Sequence, residues 1–356
     1  MIANEEIMEI KVSVVTPMYN SATYLSNCIE SFLNQTLEDC EIILVDDASP
    51  DDSFGVAEKY KNLYPDKIKL LQHKKNLRAG GARNTGLKAA RGKYVCFLDA
   101  DDWLDRTILE KCYKVAESEE CEIVDCDYYE CTSEEDEKKK YVISMPEETV
   151  GVQNDNKIEK NIVNGGRVFT KIFLREMLIL NELYYPEKLR YEDNGVGPLM
   201  CCKAKKIGKV REALYFYRVD NSFSQMGNVI TKAAFEDRLL VGEYLLNLSK
   251  KCGVFDRYNK GIEYRFIELY YASNLQIYVR GNFEVKDTLL VEMRKLVKTE
   301  FPKYKNNAYI KAHFVIRYKM CCFTNEYGVW LFNIYRSLFK VVYFWFKYIH
   351  KLLGRA

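Results

Sequence analysis

The first 130 residues alternate two hydrophobic periods, and that alternation limits the fold more than any other feature. "KVSVVTP" (residues 11–17) is a short β-branched run, and the segment after it sets Leu25, Cys28, Ile29, Phe32 and Leu33 at helical spacing. "EIILVDD", "KIKLLQH" and "KYVCFLD" (residues 41–47, 67–73 and 93–99) read as three further strands. Helical patterns follow each of them. In the second helix Ser49 is the expected cap ahead of Pro50. "NLRAGGARNTGLKAARG" reads as a loop feeding a helix that ends near Gly92, and residues 106–118 as one more helix. Repeated strand–helix units predict an α/β, Rossmann-like fold with a mostly parallel sheet and helices on both faces. Ligands of such sheets sit beyond the carboxyl ends of the strands. The polar residues of interest lie there: Thr16, Pro17, Tyr19 and Asn20 after the first strand, Asp46 and Asp47 after the second, and Asp99, Ala100, Asp101 and Asp102 after the fourth.

Beyond this block, residues 121–129 and 212–219 read as strands and "SEEDEKKK" (residues 133–140) as a solvated loop. The pattern turns more helical after Asp155 and wholly helical from about Ile230. The predicted organisation is an α/β domain over residues 1–225 and a helical region over residues 226–356. Twelve cysteines in 356 residues lack C-x-x-C spacing, and Cys201–Cys202 and Cys321–Cys322 are adjacent pairs unsuited to one tetrahedral zinc. "MIANEEIMEI" has neither the basic start nor the apolar stretch of a signal peptide. The cysteines are therefore read as reduced and mostly core, in a cytosolic protein.

Three segments carry chemistry. In "FLDADDWLD" a buried strand runs into a knot of like charge, which a metal, a basic side chain or water must neutralise. In an extended segment Asp99 and Asp101 point to the same side, and two carboxylates suit a hard cation such as Mg2+ or Mn2+. The alternative is a helix cap with solvated neighbours. "VDDAS" places Asp46 and Asp47 at another strand end, where an acidic turn is the plainer reading. "NLRAGGARNTG" offers two glycines for close backbone approach, and Arg78 and Arg83 for phosphate oxygens.

Together and in this order, "VVTPMYN", "CIESFLNQT", "EIILVDDASPDDS" and "NLRAGGARNTGLKAARGKYVCFLDADD" closely resemble the donor half of family 2 glycosyltransferases, which have the GT-A fold. The resemblance is dense over residues 11–109. It resumes at "RVFTKIFLRE", "YYPEKLRYEDNGVGPLMCCKAKKI" and "ALYFYRVDNSFSQ". It implies that Thr16, Pro17, Tyr19 and Asn20 surround the nucleotide base and that one of Asp46 and Asp47 contacts uracil. Arg83 and Asn84 would lie near the ribose and diphosphate. Asp99 and Asp101, with Ala100 between them, would bind the ribose and the metal, with Asp102 a further partner. Asp193 would be the catalytic base with Glu192 beside it, and Arg218, Asn221 and Ser222 would close over the donor. No Q-x-x-R-W follows Asp193, which disfavours a processive synthase and favours transfer of one sugar.

A UDP-sugar carries a good leaving group only when the charge of its diphosphate is neutralised as the glycosidic bond breaks, which a divalent cation on Asp101 and Asp99 would do. The acceptor hydroxyl needs a base on the opposite face of the sugar, and a positioned base contributes ~10²–10⁴-fold. The expected partners are a UDP-sugar donor and a saccharide acceptor, one carried on lipid where the chain serves surface-glycan assembly. A sugar nucleotidyltransferase would need a Gly-rich basic loop where this chain has "TPMYN". The rival from another class is a catalytically inactive glycan-binding or scaffold subunit, and intact Asp99, Asp101 and Asp193 argue against it.

The tail supplies a further expectation. In residues 301–356 Lys and Arg outnumber the single acid, Glu326, ten to one. Arg336, Lys340, Lys347 and Lys351 fall within one ~60° arc of a helix otherwise rich in Trp, Phe, Tyr, Leu and Ile. A helix on a membrane surface fits this, placing the protein peripherally on the inner face of the plasma membrane. Packing on the protein or a homodimer interface is the alternative. Nucleic-acid binding is disfavoured, since no recognised fold supports it.

Overall fold

The computed structural model describes residues 9–133, 135–165, 167–220, 230–313 and 328–352, the last with side chains through residue 340. Asn221 and Ser222, together with the side chains of Lys347 and Lys351, lie outside the described residues. The chain divides into two compact units, Met1–Ser224 and Gln225–Ala356.

The first unit opens with β1 (Val12–Met18), α1 (Ala22–Leu33), β2 (Cys40–Asp46), α2 (Ser53–Leu63), β3 (Ile68–Gln72), α3 (Arg78–Ala89) and β4 (Tyr94–Phe97). It continues through β5 (Trp103–Leu104), α4 (Ile108–Ser118), β6 (Ile123–Cys131), β7 (Lys140–Val142), β8 (Gly151–Val152), α5 (Asp155–Asn164), β9 (Lys171–Leu174), α6 (Arg175–Leu180), α7 (Glu192–Lys203) and β10 (Lys206–Arg218). The sheet order is β3-β2-β1-β4-β9-β6-β10-β5, with β7 on β6 and β8 on β10. The first four strands are parallel. β9 is antiparallel to both β4 and β6, and joins the parallel β6–β10 pair to that block. The whole sheet is therefore mixed.

Both faces are covered, as near-continuous apolar strands require. On one face Val12, Val14, Ile42, Leu44 and Cys96 pack with Leu25, Cys28, Ile29 and Phe32 of α1, Ala57 of α2 and Cys112 of α4. On the other, Val15 lies so close to Gly86 of α3 that a Cβ there would meet Val15 Cγ1 at 2.2 Å. Pro17 is tolerated within β1 because the β4 ladder ends at Val15, opposite Phe97.

Two local readings need correcting. Ser49 does not cap α2, which starts three residues beyond Pro50 with Asp52 preceding its first turn. Asp51 does more of the work: its Oδ1 accepts from Ser53 N at 3.2 Å and Ser53 Oγ at 2.6 Å, and its Oδ2 accepts from Ala22 N at 2.9 Å. One carboxylate thus serves the N-termini of both α1 and α2. Burial raises its pKa, and these hydrogen bonds outweigh burial and hold it below the usual range. Nor is the Asp99–Asp101 segment extended. Asp102 N donates to Asp99 O at 3.1 Å, closing a β-turn with Asp99 in the position that favours Asp. β6 and β7, on either side of the charged stretch, pair antiparallel.

The second unit is helical where described: α8 (Lys232–Lys251), α9 (Asn259–Phe266), a π-helical segment (Ile267–Ala272), α10 (Ser273–Arg280), α11 (Asp287–Glu300), α12 (Ala308–His313) and α13 (Val329–Leu352). Among the described residues no helix is long and apolar enough to cross a membrane. The basic stripe on α13 is not uniform. Arg336 is buried, stacks on Tyr278 at 3.8 Å, and donates to the carbonyls of Tyr278, Gly281 and Phe283 and to Glu284. Arg336 therefore docks the helix on its own unit, because its fork reaches the Tyr278 carbonyl in the last turn of α10 and the Gly281 and Phe283 carbonyls just beyond it. The outward side of α13 exposes Trp330, Leu331, Ile334, Tyr335 and Leu338.

Candidate active site

The loops after β1, β2 and β4 converge because their strands are in parallel register, with Met18 opposite Asp46 and Val15 opposite Phe97. Asp47 N donates to Met18 O at 2.9 Å, and Leu98 N to Val15 O at 3.0 Å. Several non-glycine residues here sit in the left-handed region: Asn20 (φ 53), Ala48 (φ 58), Arg78 (φ 61) and Tyr191 (φ 62). Each costs roughly 1–2 kcal/mol, and such strain gathers where loops must present groups to a ligand.

Asp46 and Asp47 are both buried but differently held. Asp46 accepts from Gln72 Nε2 at 3.1 Å and, more weakly, from Ser49 N at 3.4 Å. Asp47 Oδ1 accepts from Leu77 N at 2.8 Å and meets His73 Nδ1 at 2.7 Å, whereas its Oδ2 is buried with no hydrogen-bond partner. Thr16 Oγ1 is likewise buried without one. A buried carboxylate oxygen with no donor is costly unless a ligand supplies one. Tyr19 is about half exposed at the rim, 51%.

Asp99, at the first position of the acidic turn, is neutralised by a basic side chain. Arg83 Nη2 donates to Asp99 Oδ1 at 2.5 Å, while its Nη1 donates to Glu192 Oε1. The guanidinium lies over the Tyr185 ring at 5.4 Å. Burial works against the charge on Arg83, and Asp99 and Glu192 outweigh it, so the cation is held firmly. Burial raises Glu192 against the pull of Arg83, and neighbouring Asp193 raises it further. Asn84 is held on both sides: its Nδ2 donates to Tyr185 O at 2.9 Å and its Oδ1 accepts from Tyr185 N at 2.8 Å. It fastens α3 to the segment that leads into α7.

Asp102 turns inward. It accepts from Tyr215 OH at 2.6 Å and Arg218 N at 2.8 Å, and burial, reinforced by Asp101 and Asp99, pushes its pKa well above the carboxylate range. That geometry makes it a tie between the acidic turn and β10. Arg218 is sandwiched between the rings of Tyr24 and Trp103, both at 4.8 Å. Its Nε donates to Asp101 O at 2.9 Å and its Nη1 to Thr132 O at 2.6 Å. It braces the turn from behind. Buried Ala100 sits within the turn itself.

Asp193 lies in the first turn of α7, where the helix dipole favours an anion. Its Oδ1 accepts from Asn194 N at 2.9 Å and Asn194 Nδ2 at 2.8 Å, which fixes the carboxylate plane. Burial raises the pKa of the Tyr185 hydroxyl, Arg83 pulls it down, and the charges of Glu192, Asp193 and Asp99 raise it further. The sequence reading passed over His73, Tyr185 and Tyr215. His73 carried a usable signal, since it stands at the carboxyl end of β3, where ligands of such sheets bind.

Residues 13–178 match the family model described as glycosyl transferase family 2. The chain is 32% identical over 226 residues to the uncharacterized glycosyltransferase EpsJ of Bacillus subtilis, spanning 60% of this chain and 63% of that one. It is 30% identical over 297 residues to the cholesterol galactosyltransferase of Borreliella burgdorferi, spanning 80% of each. Residues 1–349 of S. aureus TarS, solved in complex with UDP-GlcNAc, superpose with a TM-score of 0.55 at 19% identity, covering 85% of this chain and 91% of that one. At that identity the likeness establishes the fold. With the sheet order and the strand-end acidic residues already in place, these matches assign the chain: it belongs to glycosyl transferase family 2 and has the GT-A fold.

Proposed function

We propose that the chain transfers one sugar from a UDP-sugar to a saccharide acceptor with inversion at the anomeric carbon. The observation that carries this reading is the acidic turn at the end of β4, locked from behind by Arg218 and Tyr215 and facing Arg83 and the head of α7. Asp99 and Asp101 fit Mg2+ or Mn2+, because both offer hard carboxylate oxygens and a donor diphosphate would complete the shell. When bound, the ion neutralises charge on the departing nucleotide diphosphate. Asp193, oriented by Asn194, takes the proton from the acceptor hydroxyl. A base held on α7, apart from the acidic turn at the end of β4, suits attack from the face opposite the leaving group.

The preference for UDP rests on Asp47. Its Oδ2 can only accept, and the imide N–H of uracil is the matching donor. Of the two strand-end acids, Asp47 is therefore the base contact, with Thr16, Pro17, Tyr19 and Asn20 around the ring. The TarS complex with UDP-GlcNAc, a fold relative, is consistent with this choice. The exposed apolar side of α13 supports a peripheral seat on the inner face of the plasma membrane, suited to a lipid-linked acceptor in surface-glycan assembly.

The test is donor hydrolysis across a panel of UDP-sugars with and without Mn2+. Asp101→Ala should abolish the metal-stimulated rate. Asp193→Asn should lower kcat by roughly 10²-fold or more at unchanged UDP affinity. Wild-type rates in both variants would refute the assignment.

A further inference from the structure

His73 is one of three histidines in the chain, and it stands at the carboxyl end of β3, at the back of the proposed base pocket. Its ring is held at both nitrogens: Nδ1 is 2.7 Å from Asp47 Oδ1, and Nε2 is 2.9 Å from Thr85 Oγ1 on α3. Its backbone N–H donates to Asp46 O at 2.8 Å, which fixes the residue to the strand end. The side chain is only 11% exposed.

The chemistry decides which nitrogen carries a proton. An ionised carboxylate accepts only, so Nδ1 must be the donor to Asp47. In the neutral ring Nε2 is then an acceptor and takes the Thr85 hydroxyl hydrogen. Asp47 Oδ1 thereby receives two donors, His73 Nδ1–H and Leu77 N–H. Two donors arriving on one oxygen fix the rotation of the carboxylate. The other oxygen is left buried with no donor.

We infer that His73 is a positioning residue for nucleobase selection: with Thr85 behind it, it clamps Asp47 Oδ1 so that Oδ2 faces the base as a bare acceptor. This rests on the reading that Asp47 meets the base. An acceptor fixed in that place rewards a base that presents N–H there, as uracil does at N3. It penalises cytosine, which presents a lone pair at the same edge. Without the clamp the carboxylate can rotate, and the discrimination between the two bases falls with the affinity. The reacting atoms are untouched, so the effect appears in donor binding and not in the chemical step.

Two polar variants separate the clamp from mere packing. Asn at this position places its Nδ2 where Nδ1 of the imidazole was and can still donate to Asp47. Gln places its amide near Nε2, keeping Thr85 company and losing the donor to Asp47. Calorimetric titration of the full chain with UDP and CDP in the presence of Mn2+ reads the difference. His73→Asn should keep wild-type UDP affinity and the wild-type UDP-to-CDP ratio. His73→Gln should bind UDP about tenfold more weakly and lose about the same factor in the ratio, with kcat at saturating donor unchanged. Equal UDP affinities and ratios in the Asn and Gln variants overturn the inference. Asp47→Ala tells that failure from a failure of the underlying reading. If Asp47→Ala weakens UDP and the two His73 variants do not differ, the clamp is wrong. If Asp47→Ala also leaves UDP affinity unchanged, Asp47 is not at the base.

Discussion

Gly80→Ala tests whether the close approach of α3 to the segment leading into α7 sets the position of the proposed base. A Cβ built on Gly80 lies 2.3 Å from the carbonyl oxygen of Pro186 and 3.2 Å from Cβ and Cγ of Glu192, where ordinary contact begins at 3.4 Å. The nearest atom is backbone and cannot swing aside, so the two segments must part by roughly 1 Å. Overpacking of this kind costs about 1–3 kcal/mol. For a unit of this size that lowers Tm by roughly 2–4 °C per kcal/mol. Asp193 rides on the displaced turn. A misplacement of ~1 Å can lower kcat by ~10²-fold even when the group itself is intact.

Gly86→Ala provides the matched control, since its Cβ would meet Val15 Cγ1 at 2.2 Å on the sheet side of the same helix, away from α7. The assay pairs thermal melting with donor-hydrolysis kcat at a temperature where both variants remain folded. Comparable losses of Tm are expected, with a large loss of kcat in Gly80→Ala and little in Gly86→Ala. Equal kcat losses in the two variants, or wild-type kcat in Gly80→Ala at reduced Tm, would refute the reasoning.

Three further outcomes follow from named contacts. Burial raises the pKa of Glu41, but Arg91 and Ser13 outweigh it and hold it below 4.5. A depressed folded-state pKa gives stability that is present above the unfolded value and lost as pH falls through the folded one, so melts of the wild type should fall more steeply below pH 4.5 than those of Glu41→Gln. Asp102→Asn keeps one carbonyl oxygen for Arg218 N–H and presents an amide N–H to the Tyr215 hydroxyl, which can turn to accept it, so it should melt above Asp102→Ala, which orphans both partners at about 1–3 kcal/mol each. Arg336→Met should strip the donor from the carbonyls of Tyr278, Gly281 and Phe283 and loosen α13 from α10, read as faster amide exchange or proteolysis around residues 329–338.

The parts of the fold legible in the sequence are those written in local periodicity. The β-branched runs and helical spacings of residues 11–118 placed strands and helices close to where they lie, and the strand-end acids lie on loops that converge. What was not legible depends on distance along the chain. Arg83 meets Glu192 across 109 residues and Asn84 meets Tyr185 across 101, and nothing near either end announces the partner. The four residues of β9 are too few for a period, yet their antiparallel insertion between β4 and β6 decides that the sheet is mixed. Asp102 and Arg336 look solvated by composition. Each is drawn inward by donors or acceptors on another element, a tertiary effect that residue type cannot reveal.

The knot of carboxylates after β4 shows why no single neutraliser suffices. Burial, with Asp101 and Asp99 beside it, raises the pKa of Asp102, so this buried carboxylate is costly to keep charged. Asp99 is met by Arg83, but that guanidinium is shared with Glu192, so one cation faces two acids before Asp101 and Asp193 are considered. On the proposed function a nucleotide diphosphate would add two more negative charges beside them. Coulomb repulsion among partly buried like charges a few ångströms apart amounts to several kcal/mol at the effective dielectric of a protein surface. On the proposed function, donor and divalent cation must therefore arrive as one unit, with Arg83 holding the acidic turn in shape until they do. An arginine suits that role better than a lysine would, because its planar fork can keep Asp99 and Glu192 in fixed register at once.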